Sequence, residues 1–372
     1  MTYDMTNTDR PNRRKALLQI GTAAGAAALT LGAPSIVRAQ SQTLVVVSGG
    51  GSYEEAIRKA IIDPFQRETG IKVTYVSPAT EAKIKAQVDS GDVQWDLVEW
   101  ATTPFRADAP QYLEEIDYGA FDKETLDNLL PEARQKYGVG SYVFSTVMGF
   151  STAEYPANKP RPRSWAEFWD VRKFPGPRSL RASSIGDPTS IEFALLAAGV
   201  PKDKIYPIDF DKAFASLDKI KPHVTKFWTV GAEPGQLLAD RQVAMSSGFN
   251  GRLEALRAQG AAVDYTWDEG ELSPNYWVVP KGTKRRALAM RLAAYMASAQ
   301  AQARLNSLIF YGPMNRAAFK HIDPKIAAQL PTAPGNLEKQ FFRNPAFWEA
   351  KHASGKTNNE VLVERWTKWA VA

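Results

Sequence analysis

Apolar and polar positions follow two different periods along this chain. Leu44 to Val47 is an unbroken apolar run that predicts a short buried strand. After it, Ala56, Ile57, Ala60 and Ile61 recur at the spacing of one helix face. Pro64 kinks or restarts that helix and Gly70 ends it. Ile71 to Val76 predicts the next strand, Glu81 to Ser90 a helix closed by Gly91, and Asp96 to Trp100 a third strand. This β-α-β-α-β rhythm implies a parallel, helix-covered sheet, in which ligands sit at the carboxyl ends of strands.

The run Tyr142 to Phe150 is apolar without a helical period and predicts a strand leaving the first lobe. A second series follows: helix SWAEFWDV, strand SLRAS, helix Thr189 to Ala198, helix Phe210 to Ile220, strand Val224 to Thr229, and a helix entered at Pro234. QVAMSSGFNGRLEALRAQG predicts a strand, a Gly/Asn turn and a helix ended by Gly260. Asn275 to Gly282 predicts a returning strand, and Thr283 to Leu308 a helical stretch. Trp165, Phe168 and Trp169, spaced as one helix face, predict core, as does Trp277 on the returning strand. The pattern predicts two α/β lobes joined by at least two crossings.

The N-terminus changes the picture. Arg13-Arg14 precedes a weakly apolar stretch rich in Ala, Gly and Thr, then the small-residue site Val37-Arg38-Ala39. This predicts an export signal of twin-arginine type over residues 1–39, cleaved near Ala39, and hence a periplasmic protein. Asn12 and Ala16 depart from the usual twin-arginine pattern. Removing the signal lowers the formal charge from +6 to about +3, with charges interspersed, so no nucleic-acid partner is expected. The absence of cysteine excludes disulfides and thiolate metal sites.

The glycine-rich turn SGGGSY suggests an anion site, but two nucleotide fingerprints fail. No lysine follows the glycines as a P-loop requires, and Glu54 stands where a dinucleotide fold needs its third glycine. Ser52 and Glu55 instead form the S-x-x-E of a capping box. An enzyme is not expected. The three histidines are scattered without metal spacing, and GFSTA lacks the final glycine of a nucleophile elbow. No catalytic residue, metal or cofactor is therefore assigned.

Taken in order, GGGSYEEAIRKAIIDPFQRETGIKVTY, PRSWAEFWDVRKFPG, VAMSSGFNGR, YWVVPKG and ASAQAQARLNSLIFYGPMNRAA resemble extracellular solute-binding proteins of ABC importers, of the spermidine/putrescine-binding-like branch. The resemblance implies an α/β, type II periplasmic binding protein with a ligand cleft between two lobes. Lobe 1 would comprise residues 40–147 and 276–309, and lobe 2 residues 148–275 and 310–372. It implies a monomer that captures a small solute and delivers it to an inner-membrane ABC permease. A role in sensing rather than import stays open.

The same resemblance places the site. The cleft is expected to draw on Gly50, Gly51, Ser52 and Tyr53, on Trp100, Thr102 and Thr103, and on Arg181, Ser184, Asp187 and Thr189. Phe249, Asn250, Arg252 and Asn275 complete it. Ser273 and Asn275 stand where polyamine binders carry a Trp and an Asp, and Thr189 where they carry a Glu. A diamine needs carboxylates, because an unpaired buried ammonium is costly. The neutral and basic set, with Arg181, Arg252 and helix starts at Ser52, Thr189 and Asn250, suits a carboxylate, zwitterion or aminophosphonate-like solute. Glu99 or Asp187 could pair with an amino group, and a polyamine is the alternative.

Overall fold

A computed structural model describes residues 43–371 except Thr102. The predicted export signal and Thr102 lie outside the described residues. The described residues form one compact unit. No described helix is long and apolar enough to cross a membrane.

The strands are β1 (Thr43–Val47), β2 (Lys72–Val76), β3 (Leu97–Trp100), β4 (Arg134–Gln135), β5 (Gly138–Ser151), β6 (Arg178–Arg181), β7 (Val224–Trp228), β8 (Met245–Phe249), β9 (Val263–Val278) and β10 (Phe341–Phe342). They form one mixed sheet in the order β2-β1-β3-β9-β5-β8-β6-β7, with β10 on β9 and β4 on β5. The β2-β1-β3 block is parallel, as is β8-β6-β7. Between them run β5 and β9, the two longest strands, antiparallel to each other and to β8 and β3 respectively, while β10 joins β9 in parallel. These two crossings hold the blocks side by side and present the carboxyl ends of both to one region.

Each block has its own core. In the first, Leu44, Val46, Ile57, Ile61, Phe65 and Leu97 meet Trp277, Leu292, Met296 and Met314. In the second, Met148, Trp165, Phe168, Phe193 and Leu217 meet Trp348, Leu362 and Trp366. The ring of Trp165 stacks on Phe193 at 3.6 Å between centroids. The amphipathic spacing of Trp165 and Phe168 thus faces the core.

The structure differs from the sequence expectation at four places. Gly51, at φ 66°, is the N-cap of the helix Ser52–Ile57, and no side chain caps it. The Ser52–Glu55 capping box is not made, because the chain enters through a left-handed glycine that puts Ser52 inside the first turn. Phe249 likewise passes directly into the helix Asn250–Ala258, so no Gly/Asn turn separates strand from helix. The predicted returning strand begins twelve residues early, at Val263 rather than Asn275. Its register against β5 jumps from Thr146↔Glu271 to Met148↔Thr266, so Trp267 to Gly270 bulge outward with Glu269 at φ 58°. The last stretch is two helices, Arg286–Ala297 and Ala299–Asn306, broken at Ser298, whose hydroxyl caps the second. Pro64 sits at the restart of the first helix, after a π-helical turn at Arg58–Ile62.

Candidate functional site

A cavity of about 540 Å³ opens where the two blocks face each other. From the first block come Gly50, Ser52 and Tyr53; from the second Gly231, Phe249, Gly251, Arg252 and Ala255. The crossing strand β5 supplies Tyr142 and Phe144, and the loop after the helix Ala299–Asn306 supplies Leu308 to Tyr311.

Aromatic rings run across this cavity as a chain of contacts. Tyr53 meets Tyr142 edge-on at 5.5 Å, and Tyr142 stacks on Tyr311 at 4.6 Å. Tyr311 is 6.4 Å from Phe144, which meets Phe249 edge-on at 5.2 Å. Backbone pairing places these rings. Val143 and Gly312 exchange two hydrogen bonds, which brings the loop of Tyr311 beside β5. A Cβ on Gly312 would lie within 2.9 Å of the Thr332 backbone, so only glycine permits that approach.

Behind Tyr53 lies a buried carboxylate. Glu99 accepts from the Tyr53 hydroxyl at 2.8 Å and from the hydroxyls of Ser48 and Ser141. Burial pushes Glu99 above the usual carboxylate range, against the pull of those three donors. Burial likewise holds Tyr53 and Tyr142 in their neutral phenol forms, with the Glu99 charge adding to the effect. Asn275 lies on β9 near Tyr142 and is not among the residues that line the cavity. On the opposite side Arg252 is exposed and makes no ion pair among the described residues. Its charge reaches the Tyr311 hydroxyl.

Of the residues expected in the cleft, Gly50, Ser52, Tyr53, Phe249 and Arg252 line this cavity. Gly51 is the adjoining cap, and Trp100 pairs with Tyr276 at the end of β3. Thr103 opens a short turn, Thr103–Phe105. Ser184 is exposed in the turn Ser183–Ile185. Asn250 is fully buried and structural: its side chain accepts from Ser145 N–H at 2.9 Å and donates to the Phe310 carbonyl at 2.7 Å.

Arg181, Asp187 and Thr189 gather in an ion network behind Phe249. Asp187 is paired with Arg181 at 2.7 Å and with Arg343 at 3.2 Å, and Thr189 donates to it. Arg343 also pairs with the buried Glu271 at 2.7 Å. Burial favours the neutral form of Asp187, yet Arg343 and Arg181 hold it below its usual range. The Arg181 guanidinium lies over the Trp228 and Phe249 rings, at 4.6 and 4.9 Å. Both groups are thus already partnered in this state. Next to them, burial and the Glu271 charge raise Glu192 to about 8.

Sequence reasoning missed Tyr142, Phe144 and Tyr311. The first two alternate on the predicted crossing strand, a period that puts both on one face. Nothing local in LIFYGPMN shows that Tyr311 joins them.

Residues 60–332 of this chain match the sequence profile of the bacterial extracellular solute-binding protein family. The gamma-aminobutyric acid-binding protein of Pseudomonas aeruginosa is 35% identical over 347 residues, covering 90% of this chain and 92% of that protein. A spermidine/putrescine-binding periplasmic protein of Salmonella typhimurium is 25% identical over 324 residues, covering 81% and 86%. An ABC transporter substrate-binding protein from Bradyrhizobium japonicum has a solved structure that superimposes with TM-score 0.78 at 36% identity, covering 88% of this chain and 99% of that one. With two α/β blocks, two crossing strands and a cavity between, the chain belongs to the bacterial extracellular solute-binding protein family and is the substrate-binding component of an ABC transporter.

Proposed function

We propose that this binding protein captures a small zwitterion whose carboxylate and amino group are separated by a short methylene chain. The observation that carries the reading is the charge balance of the cavity wall. Six aromatic residues and one free cation, Arg252, line the cavity, and no Asp or Glu does so among the described residues. Arg252 would take the carboxylate by charge-assisted hydrogen bonds, and the ring chain would hold the methylenes and the amino end. A diamine would meet Arg252 as a like charge and find no open carboxylate. The gamma-aminobutyric acid binder among its relatives supports an amino acid of this spacing.

The lobes of this account follow the two cores. Lobe 1 is residues 40–147 with 276–309, to which we add the segment up to about residue 340, since Met314 joins the first core and Leu330 packs on Ala303. Lobe 2 is residues 148–275 with the remaining C-terminal segment, and closure of the lobes on the ligand gives the shape that a permease reads. Export through the segment 1–39, cleavage near Ala39, a periplasmic site of action and a monomeric state belong to the same reading.

Thermal unfolding of the purified chain with 4-aminobutyrate, other ω-amino acids, aminophosphonates and putrescine tests it. A ligand at 100 times its Kd adds about 2.7 kcal/mol. A shift with ω-amino acids supports the reading, and a shift with putrescine alone refutes it.

A further inference from the structure

Two features of the cavity do not suit a primary ammonium. The wall offers π faces in quantity but no carboxylate, and the one nearby carboxylate is used up. Both Glu99 oxygens already accept hydroxyl protons, Oε1 from Tyr53 and Ser141 and Oε2 from Ser48. Glu99 nevertheless sits directly behind Tyr53, 2.8 Å from its hydroxyl, and the Tyr53 ring meets Tyr142 edge-on at 5.5 Å. That end of the cavity thus presents π faces backed by a carboxyl group while withholding it as an acceptor. A primary ammonium has three N–H donors to satisfy and loses them on burial. A quaternary ammonium has none. It needs only charge and ring faces, which is how aromatic walls recognise such groups.

From this juxtaposition we infer that the preferred solute carries an N-methylated ammonium opposite its carboxylate, a betaine-class zwitterion. The inference rests on the zwitterion reading above and deepens it. The cavity volume of about 540 Å³ leaves room for the added methyl groups. Glu99 then acts as a specificity-determining residue at one remove. By accepting the Tyr53 hydroxyl it enriches that ring without touching the ligand. Arg252 keeps its role at the other end and is indifferent to methylation.

Calorimetric titration of the purified chain with three probes decides the matter: 4-aminobutyrate, its N,N,N-trimethyl derivative, and the carbon isostere 5,5-dimethylhexanoate, which keeps the carboxylate and lacks the cation. The expected order is trimethyl tightest by at least about fivefold, with the isostere well below it. A primary amine that binds as tightly or more tightly overturns the inference and leaves the zwitterion reading standing. An isostere as tight as the trimethyl compound also overturns it, because shape alone would then suffice. If putrescine binds and no carboxylate probe does, the zwitterion reading itself falls. Tyr311→Leu keeps apolar bulk and removes a π face, so the trimethyl-over-isostere ratio should drop toward one at an unchanged melting temperature. Glu99→Gln should lower the same ratio. A ratio unmoved in a folded Tyr311→Leu chain counts against the inference, whether or not Glu99→Gln folds.

Discussion

The rings of Tyr142 and Tyr311 lie nearly parallel, 15° apart, with centroids 4.6 Å from each other. They are 169 residues apart in sequence, and the paired backbones of Val143 and Gly312 bring them together. One belongs to a crossing strand and the other to a loop beyond the last long helices, so the pair joins two chain segments at the cavity wall. Replacing Tyr311 by Ala removes one ring of the pair. The aromatic contribution is on the order of 0.5–1.5 kcal/mol beyond buried area. Solute affinity should fall roughly fivefold or more, measured by calorimetry.

Gly231 lines the cavity, and a Cβ built there lies 2.8 Å from the Phe249 ring. That ring cannot retreat freely, since Phe144 meets its face or edge at 5.2 Å and Arg181 covers it at 4.9 Å. Gly231→Ala should therefore displace Phe249 and weaken binding. Overpacking of this kind costs about 1–3 kcal/mol. Titration beside a denaturation curve separates the two effects, and an unchanged affinity would show that the Phe249 position does not matter.

Arg343 bridges Asp187 and Glu271, and all three are largely withdrawn from water. Arg343→Met would leave two buried carboxylates without this partner, a change that typically costs about 3–5 kcal/mol. Urea unfolding should show that loss. Lysine should rescue it only in part, because one ammonium cannot reproduce the contacts that the guanidinium makes to Asp187, Thr189 and Glu271.

Glu192 gives stability a pH dependence. Burial and the Glu271 charge raise it to about 8 in the folded chain, against an ordinary value of 4.5. A carboxyl raised in this way contributes stability that is complete below its unfolded value and is lost as pH rises through the folded value. Stability should therefore decline between about pH 4.5 and about pH 8, as read by urea midpoints. Glu192→Gln should flatten that slope, and a slope that survives the substitution would place its origin elsewhere.

What could be read from the sequence divides along physical lines. The helix Glu81–Ser90 matches its expected limits because Gly91, at φ 71°, stops it as a left-handed cap. The helix Phe210–Ile220 matches because Asp209 caps it through Lys212 N–H. These signals are local. The first half of the strand Val263–Val278 carries no clear local signal, since Gly270 and Pro274 are poor strand formers, while its pairing with β5 supplies the missing stabilisation. The site divides the same way. Phe249 closes a strand, and Tyr53 and Arg252 follow strand ends, a place that the α/β rhythm already marks. Tyr311 reaches the cavity through a tertiary backbone pair, and Arg343 reaches Asp187 from a C-terminal segment that carries no periodic pattern. Composition showed Asp187 and Arg181 as charges but not that each would be the other's partner.

The account stands most directly on Arg252. Its guanidinium is the one cation lining the cavity among the described residues, and removing a hydrogen bond to a charged group costs about 1.5–3 kcal/mol. Calorimetric titration of 4-aminobutyrate and its trimethyl derivative into the wild-type and Arg252→Ala chains is the measurement to make. The account predicts a loss of affinity of roughly tenfold to a hundredfold for both ligands at an unchanged melting temperature. Equal affinity in the two chains, or a putrescine affinity that rises above that of either amino acid in the wild type, would contradict it.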